Sequence, residues 1–151
     1  MKARISTILN TPPEKVWSAV KQSNTLSYIT KGFLQFKGAE NFPQEWIQGK
    51  TEQCRLIFFG FIPAWQHSLE FIYIDNDKHQ LFTKETGGMI HQWDHLIKLE
   101  PFTEASCRYT DEIDIGAGML TPLVWLYAHA FYRYRQRRWR KLIQARYFQV
   151  L

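Results

Sequence analysis

The residues best suited to acid–base chemistry are a histidine and an aspartate in neighbouring stretches with the alternation of β-strands. Residues 91–99 and 105–115 alternate apolar and polar side chains, which predicts two antiparallel strands joined by a turn around Thr103. A hairpin centred on Thr103 puts His95 opposite Asp111. Facing side chains of antiparallel strands lie in contact range. We therefore predict an imidazole–carboxylate pair on the inner face of a sheet.

This pair permits several kinds of site. A carboxylate stabilises a protonated imidazole, so His95 could act as a general base that Asp111 orients. The pair could instead satisfy itself in the core, or bind the polar group of a mostly apolar ligand. His67, on a preceding strand, could join the pair as a third metal ligand, but the residue types and spacing are not diagnostic of a metal site. We expect ligand binding, without metal or cofactor.

Aromatic residues make up 16% of the chain, enough to line a wide apolar pocket. The predicted ligand site combines aromatic walls with a few polar anchors. Its residues are His67, Phe71, Trp93, His95, Tyr109, Asp111, Trp125, Tyr132, Trp46 and Phe58.

The segment 119–147 predicts one long helix. It contains no Gly and no acidic residue, and Pro122 directly after Thr121 suits the first turn of a helix. Its apolar residues cover a broad arc of the helical wheel, so the helix must lie across a wide, concave, apolar surface. Arg135 and Arg138 fall inside that arc. They must reach solvent or pair with an acid of the sheet, or less favourably with a ligand carboxylate.

The remaining elements predict an α+β fold with a curved antiparallel sheet of about seven strands. Two short helices follow the first strand, one beginning near Pro12 and one over residues 25–30. No other helical pattern precedes the long C-terminal helix. The predicted strands cover residues 2–9, 33–37, 46–59 (one or two strands around Gly49), 66–74, 80–86, 91–99 and 105–115.

Charge is distributed unevenly along the 151 residues. The net charge is +5, yet seven of the 19 Lys and Arg and none of the 14 Asp and Glu lie from residue 119 onward. A basic helical face is most often simply solvated, although contact with an anionic membrane stays open and no nucleic acid is expected. No apolar run could cross a bilayer, no signal peptide is evident, and two cysteines make no disulfide framework. We expect a cytoplasmic protein.

These patterns together resemble the START-like helix-grip superfamily, also called SRPBCC or polyketide cyclase/dehydrase-like. The resemblance covers essentially the whole chain, as one domain over residues 1–151. The Trp-x-His and Tyr-x-Asp pattern is similar to an uncharacterised bacterial branch. The motifs that carry the resemblance are residues 5–17, residues 60–63 with His67, Trp93-Asp94-His95, Tyr109-Thr110-Asp111 and the final helix.

The resemblance implies a hydrophobic ligand held between sheet and helix, since members carry lipids, sterols or quinones and a minority are cyclases or hydrolases. Our leading hypothesis is binding, transport or sensing of a small hydrophobic or lipid-like molecule. The alternative is a cyclase, dehydratase or hydrolase with His95 as base and Asp111 orienting it. A peripheral membrane carrier and a cavity filled by the protein's own side chains are further hypotheses.

Overall fold

A computed structural model describes residues 1–145, which form one antiparallel sheet covered by helices. The strands are β1 (Lys2–Leu9), β2 (Leu34–Lys37), β3 (Thr51–Phe58), β4 (Ile62–Asp75), β5 (Gln80–Gly87), β6 (Ile90–Thr103) and β7 (Ser106–Gly116). The α-helices of the described residues are α1 (Pro13–Val20), α2 (Ser23–Thr30) and α3 (Thr121–Gln144). None of these helices is long and apolar enough to cross a lipid bilayer.

The sheet has the strand order β1-β7-β6-β5-β4-β3-β2, with every neighbouring pair antiparallel. The first strand therefore lies beside the last one, with Lys2 opposite Asp114 and Leu9 opposite Cys107. The sheet curls into a half-barrel, and α3 lies across its concave face. This arrangement confirms the predicted α+β helix-grip fold.

Alternation decides which side chains face α3. Trp93, His95 and Ile97 on β6 are buried, and Tyr109 and Asp111 on β7 are completely or almost completely buried. The residues of α3 buried against this face are Ala128, Phe131, Tyr132, Arg135, Gln136, Trp139 and Leu142. An arginine and a glutamine thus enter the core on an otherwise apolar helical face, and both need polar partners on the sheet.

The predicted boundaries differ from the structure mainly at turns. The strand expected around Gly49 begins only at Thr51, because Gly49 has a φ of 80° and hydrogen-bonds through its N–H to the Phe71 carbonyl. The long helix begins at Thr121, whose hydroxyl donates to the Gly118 carbonyl at 2.7 Å. Residues 146–147 of the predicted helix lie outside the described residues.

The predicted register of the last hairpin is wrong by two residues. Ile113 and not Asp111 stands opposite His95, because the turn lies at residues 104–105 and a bulge interrupts the pairing between Pro101 and Thr103. Side chains alternate with a period of two, so a shift by two residues leaves every side chain on its predicted face.

Candidate functional site

A cavity of about 290 Å³ lies between the concave face of the sheet and α3. Its wall is mostly apolar, and Glu85 and Arg135 are the charged residues that line it. Eight of the ten residues predicted from the sequence line this cavity. They are Trp46, Phe58, His67, Phe71, Trp93, His95, Tyr109 and Tyr132.

The other two predicted residues, Asp111 and Trp125, do not line the cavity. Asp111 is fully buried behind the wall, where its carboxylate is enclosed by hydrogen-bond donors. Trp125 lies on the flank of α3 that faces β1, and its indole N–H donates to the Lys2 carbonyl at 2.8 Å. Any role of Asp111 toward a ligand must therefore pass through the residues that surround it.

Four side chains converge on Asp111. Its Oδ1 lies 2.9 Å from His95 Nε2 and accepts a hydrogen bond from the Tyr109 hydroxyl at 3.2 Å. Its Oδ2 accepts from Gln136 Nε2 at 3.0 Å, and Arg135 Nη2 lies 3.9 Å from Oδ1. Both oxygens thus have polar partners, as a buried carboxylate requires.

These contacts decide the protonation state of the pair formed by Asp111 and Arg135. Burial alone would raise the pKa of Asp111, but the Arg135 charge and the hydrogen bonds from His95 and Gln136 outweigh burial and lower it. Burial would lower the pKa of Arg135, yet the neighbouring Tyr109 and Asp111 hold it above its usual value. The pair is therefore ionised in the core.

A second carboxylate, Glu85 on β5, completes the polar cluster and was not among the predicted site residues. Its Oε2 lies 2.9 Å from His67 Nε2, and its Oε1 accepts a hydrogen bond from the Thr83 hydroxyl at 2.9 Å. His95 Nδ1 lies 3.9 Å from the same Oε1. His95 consequently has a carboxylate on each side, Asp111 at Nε2 and Glu85 at Nδ1.

The ionisation of Glu85 follows from these neighbours. Burial acts to raise its pKa, but the hydrogen bond and charge of His67, the charge of His95 and the Thr83 hydroxyl together lower it. Two carboxylates, Asp111 and Glu85, therefore face one guanidinium, that of Arg135. We call His67, Glu85, His95, Asp111 and Arg135 the polar cluster.

A sequence signal for Glu85 existed in the alternation of β5. Leu81, Thr83 and Glu85 share the inner face of this strand, which places a charged residue on the same face as buried side chains. Such a residue requires a partner in the core. The face assignment used for the last two strands, when it is applied to β5, therefore also predicts Glu85 as a site residue.

The two arginines of α3 that fall inside its apolar arc have different partners. Arg135 pairs with the sheet acid Asp111 and lies over the Tyr132 ring at 5.0 Å. Arg138 donates from Nε and Nη2 to the Tyr28 carbonyl at 3.2 and 3.0 Å, and lies 4.2 Å from the centre of the Tyr28 ring. Only Arg135 therefore reaches the cavity.

Several polar atoms of the lining residues have no hydrogen-bond partner among residues 1–145. These atoms are Trp65 Nε1, His67 Nδ1, Tyr127 Oη, Arg135 Nε and Trp139 Nε1, and all are buried. Buried polar groups are normally paired, so this unused capacity sets the cavity apart from an ordinary core. By contrast, no group of three or more His, Cys, Asp and Glu side chains in the described part of the chain is placed to hold a metal ion.

The cavity opens between the turn that joins β5 to β6 and the first turn of α3. Among its lining residues, Met89 and Leu123 are the exposed ones, at 57% and 65%. The wall beside Met89 is formed by Trp65, whose indole ring packs against Gly87 and Gly88. A side chain at either glycine would occupy the space of that ring.

Solved structures of very different sequence share this fold. A Chromobacterium violaceum protein aligns over 93% of this chain and 96% of its own, with 12% identity and a TM-score of 0.73. A point mutant of norcoclaurine synthase from Thalictrum flavum, solved with a transition-state analogue, aligns over 97% of this chain and 95% of its own, with 13% identity and a TM-score of 0.70. A START superfamily protein from Mycobacterium smegmatis aligns over 95% and 97% with 12% identity and a TM-score of 0.67.

These likenesses show a START-like helix-grip fold and, at such low identity, nothing finer. No curated protein sequence matches the chain significantly. A family model described as a domain of unknown function, DUF8410, matches residues 7–143. The chain is therefore a member of the DUF8410 family, built on the START-like helix-grip fold.

Proposed function

We propose that the cavity binds a small, mostly apolar molecule whose polar end hydrogen-bonds to the polar cluster. The observation that carries this proposal is the placement of His67, Glu85, His95 and Arg135 on the wall of an otherwise apolar cavity. Apolar walls supply affinity, and a few polar groups supply orientation. The unpaired His67 Nδ1 and Arg135 Nε are the hydrogen-bonding capacity that a polar end would use. Proteins of the same fold that bind such molecules support this proposal, although they do not identify the ligand.

Ligand uptake is tested by filling the cavity from one strand. Ile97 lines the cavity, whereas Leu96, the preceding residue, lies on the opposite face of the same strand. We expect Ile97→Trp to abolish binding of N-phenyl-1-naphthylamine, a neutral apolar fluorescent probe, and Leu96→Trp to preserve it. Native mass spectrometry of the purified protein would show a co-purified ligand in the wild type and not in Ile97→Trp. Equal probe binding by both variants would contradict the proposal.

A second candidate function is an enzyme of cyclase or hydrolase type that uses the same cavity. The 2.9 Å contact between His95 Nε2 and Asp111 Oδ1 favours it, because a carboxylate that orients an imidazole is the usual support of a general base. In this case His95 would take the proton and Asp111 would hold the ring. A general base needs a ring nitrogen that can reach the substrate. In His95, Asp111 lies at one ring nitrogen and Glu85 lies near the other, which weighs against this function.

A single variant distinguishes the two proposed functions. If the protein is an enzyme, His95→Ala should abolish conversion of a co-purified or identified ligand while the neutral probe still enters the cavity. If His95→Ala only weakens binding and no conversion is detected with the wild type by mass spectrometry, the enzyme hypothesis is rejected. The binding proposal survives that result unchanged.

A further inference from the structure

Among residues 1–145, the large exposed apolar side chains are concentrated at one end of the sheet. In an antiparallel sheet the turn from β3 to β4 and the turn from β5 to β6 lie at the same end, and α3 also begins there because Gly116 pairs with Gln92. Six residues of these segments are each at least 50% exposed. They are Phe59, Phe61, Met89, Met119, Leu123 and Leu126, and we call them the apolar tip.

The three segments that carry the apolar tip contain no charged side chain. Residues 56–69, 86–93 and 115–132 contain no Asp, Glu, Lys or Arg. A surface for another protein normally has a polar rim, with charged groups that select the partner. Three adjacent uncharged segments that end in large apolar side chains match the hydrocarbon region of a bilayer better than a protein surface.

The backbone of the β3–β4 turn supports a role for its aromatic residues at the surface. Phe59 has a φ of 53°, a conformation that is rare for a bulky residue and that Gly or Asn would adopt at lower cost. The next residue, Gly60, also has a positive φ, of 81°. The turn therefore keeps a large aromatic side chain at a strained position where it is half exposed.

The apolar tip is continuous with the cavity. Met89 and Leu123 belong to both, and they are the exposed residues of the cavity lining. We propose that the apolar tip inserts into a lipid bilayer. An apolar molecule then moves between membrane and cavity past Met89 and Leu123 without crossing water, a step that rests on the proposed binding function. The occupant of this surface is thus a membrane, and its attraction is hydrophobic.

This proposal concerns a different surface from the basic face of α3. Arg137 and Lys141 are exposed in the C-terminal half of the helix, and Arg137 lies about 20 Å along the axis from Leu123 at 1.5 Å per residue. A membrane bound at the apolar tip would leave these side chains outside the bilayer. Binding should then occur on neutral lipid and persist in high salt.

The test is flotation of the full chain with vesicles of phosphatidylcholine alone, at low and high salt. We expect salt-independent binding that the triple variant Phe61→Ser, Leu123→Ser, Leu126→Ser weakens by about tenfold or more, because three apolar side chains no longer insert. The matched control is Phe102→Ser, an exposed Phe beside the turn at the opposite end of the sheet, which should bind like the wild type. Circular dichroism establishes that each variant is folded.

Other outcomes overturn the proposal. Binding only to anionic vesicles, lost in salt and in the variant Arg137→Gln, Lys141→Gln, would assign the membrane contact to the basic face. A concentration-dependent dimer that the triple variant abolishes would make the apolar tip an interface between two copies. A monomer that ignores all vesicles would leave the tip without a membrane role. Vesicle binding needs no ligand, so none of these results bears on the proposed binding function.

Discussion

His95 and Asp111 are joined diagonally across β6 and β7, with 2.9 Å between Nε2 and Oδ1 although Ile113 stands opposite His95. Diagonal neighbours on one face of a sheet lie within reach of long and aromatic side chains. The same carboxylate also contacts Gln136 and Arg135 of α3, at 3.0 and 3.9 Å. The carboxylate thus connects the sheet to the helix that closes the cavity.

Removing the charge of Asp111 should strongly destabilise the fold. We expect Asp111→Asn to lower the free energy of unfolding by about 3–5 kcal/mol, because Arg135 would lose its buried counter-charge and an amide donor would face the donor of Gln136. Urea denaturation measures the change. The control is Asp77→Asn, at an exposed turn position, which should stay within about 0.5 kcal/mol of the wild type. A small loss at Asp111 would mean that Arg135 finds another partner.

Acid should remove the contribution of Glu85 to stability. The pKa of Glu85 in the folded protein lies below its ordinary value of 4.5, so the folded state holds the ionised form more strongly than the unfolded chain does. Its stabilisation is therefore present above about pH 4.5 and is lost as the pH falls through the lower, folded-state pKa.

The comparison of wild type with Glu85→Gln isolates this effect from general acid unfolding. The stability difference between the two proteins should be largest near neutral pH and shrink below about pH 4.5. Denaturant titrations at a series of pH values measure it. A difference that grows on acidification would show that the folded protein holds the Glu85 carboxyl group in its protonated form at neutral pH. That result would contradict the ionised form that the contacts with His67 and Thr83 stabilise.

The contact between Trp65 and Gly88 should make substitution of that glycine unusually destabilising. An alanine Cβ at Gly88 would lie 2.4 Å from the indole, whereas at Gly49 it would meet nothing within 4 Å, and both positions have positive φ. We expect Gly88→Ala to cost about 1–3 kcal/mol more than Gly49→Ala, which suffers backbone strain alone. Thermal and urea denaturation measure both. In a Trp65→Ala background the extra cost should vanish, and its persistence would place the clash elsewhere.

Gln136 should stabilise the contact between α3 and the sheet in a way that an apolar residue at this position could not. Its Nε2 donates to the Ile5 carbonyl at 2.7 Å and to Asp111 Oδ2 at 3.0 Å, joining α3 to both β1 and β7. We expect Gln136→Met to cost about 1–3 kcal/mol, since two buried acceptors lose their donor. Gln144→Met, at an exposed position near the end of the same helix, is the control for the change in side-chain type. Equal costs for the two variants would argue against the link.

Alternation and turn residues were sufficient to predict the fold. Apolar and polar residues alternate so regularly along β6 and β7 that the inward positions of His95 and Asp111 followed directly. The same signal failed at Gly49, where a positive φ and a hydrogen bond to Phe71 end the strand pattern. Turn geometry of this kind depends on backbone contacts with residues distant in the sequence, and the local amino-acid composition does not predict it.

The site was predictable only in part, for similar reasons. The hairpin register depended on a bulge near Pro101, which no periodicity reveals. A helical wheel places Trp125 toward the cavity, but the wheel does not say which flank of α3 meets β1. The position of Arg135 inside the apolar arc predicts an acidic partner on the sheet, but which acid it meets depends on how α3 crosses the sheet.

The pairing of β1 with β7 has a consequence for how the polypeptide reaches its native state. Lys2 stands opposite Asp114, and β7 is the only neighbour of β1 among the described strands of the sheet, so β1 has no partner strand until β7 has been synthesised. Until then the nascent chain presents an unpaired strand, a known template for association with other chains. Production of this protein should accordingly profit from chaperones that shield β1 until β7 has been made.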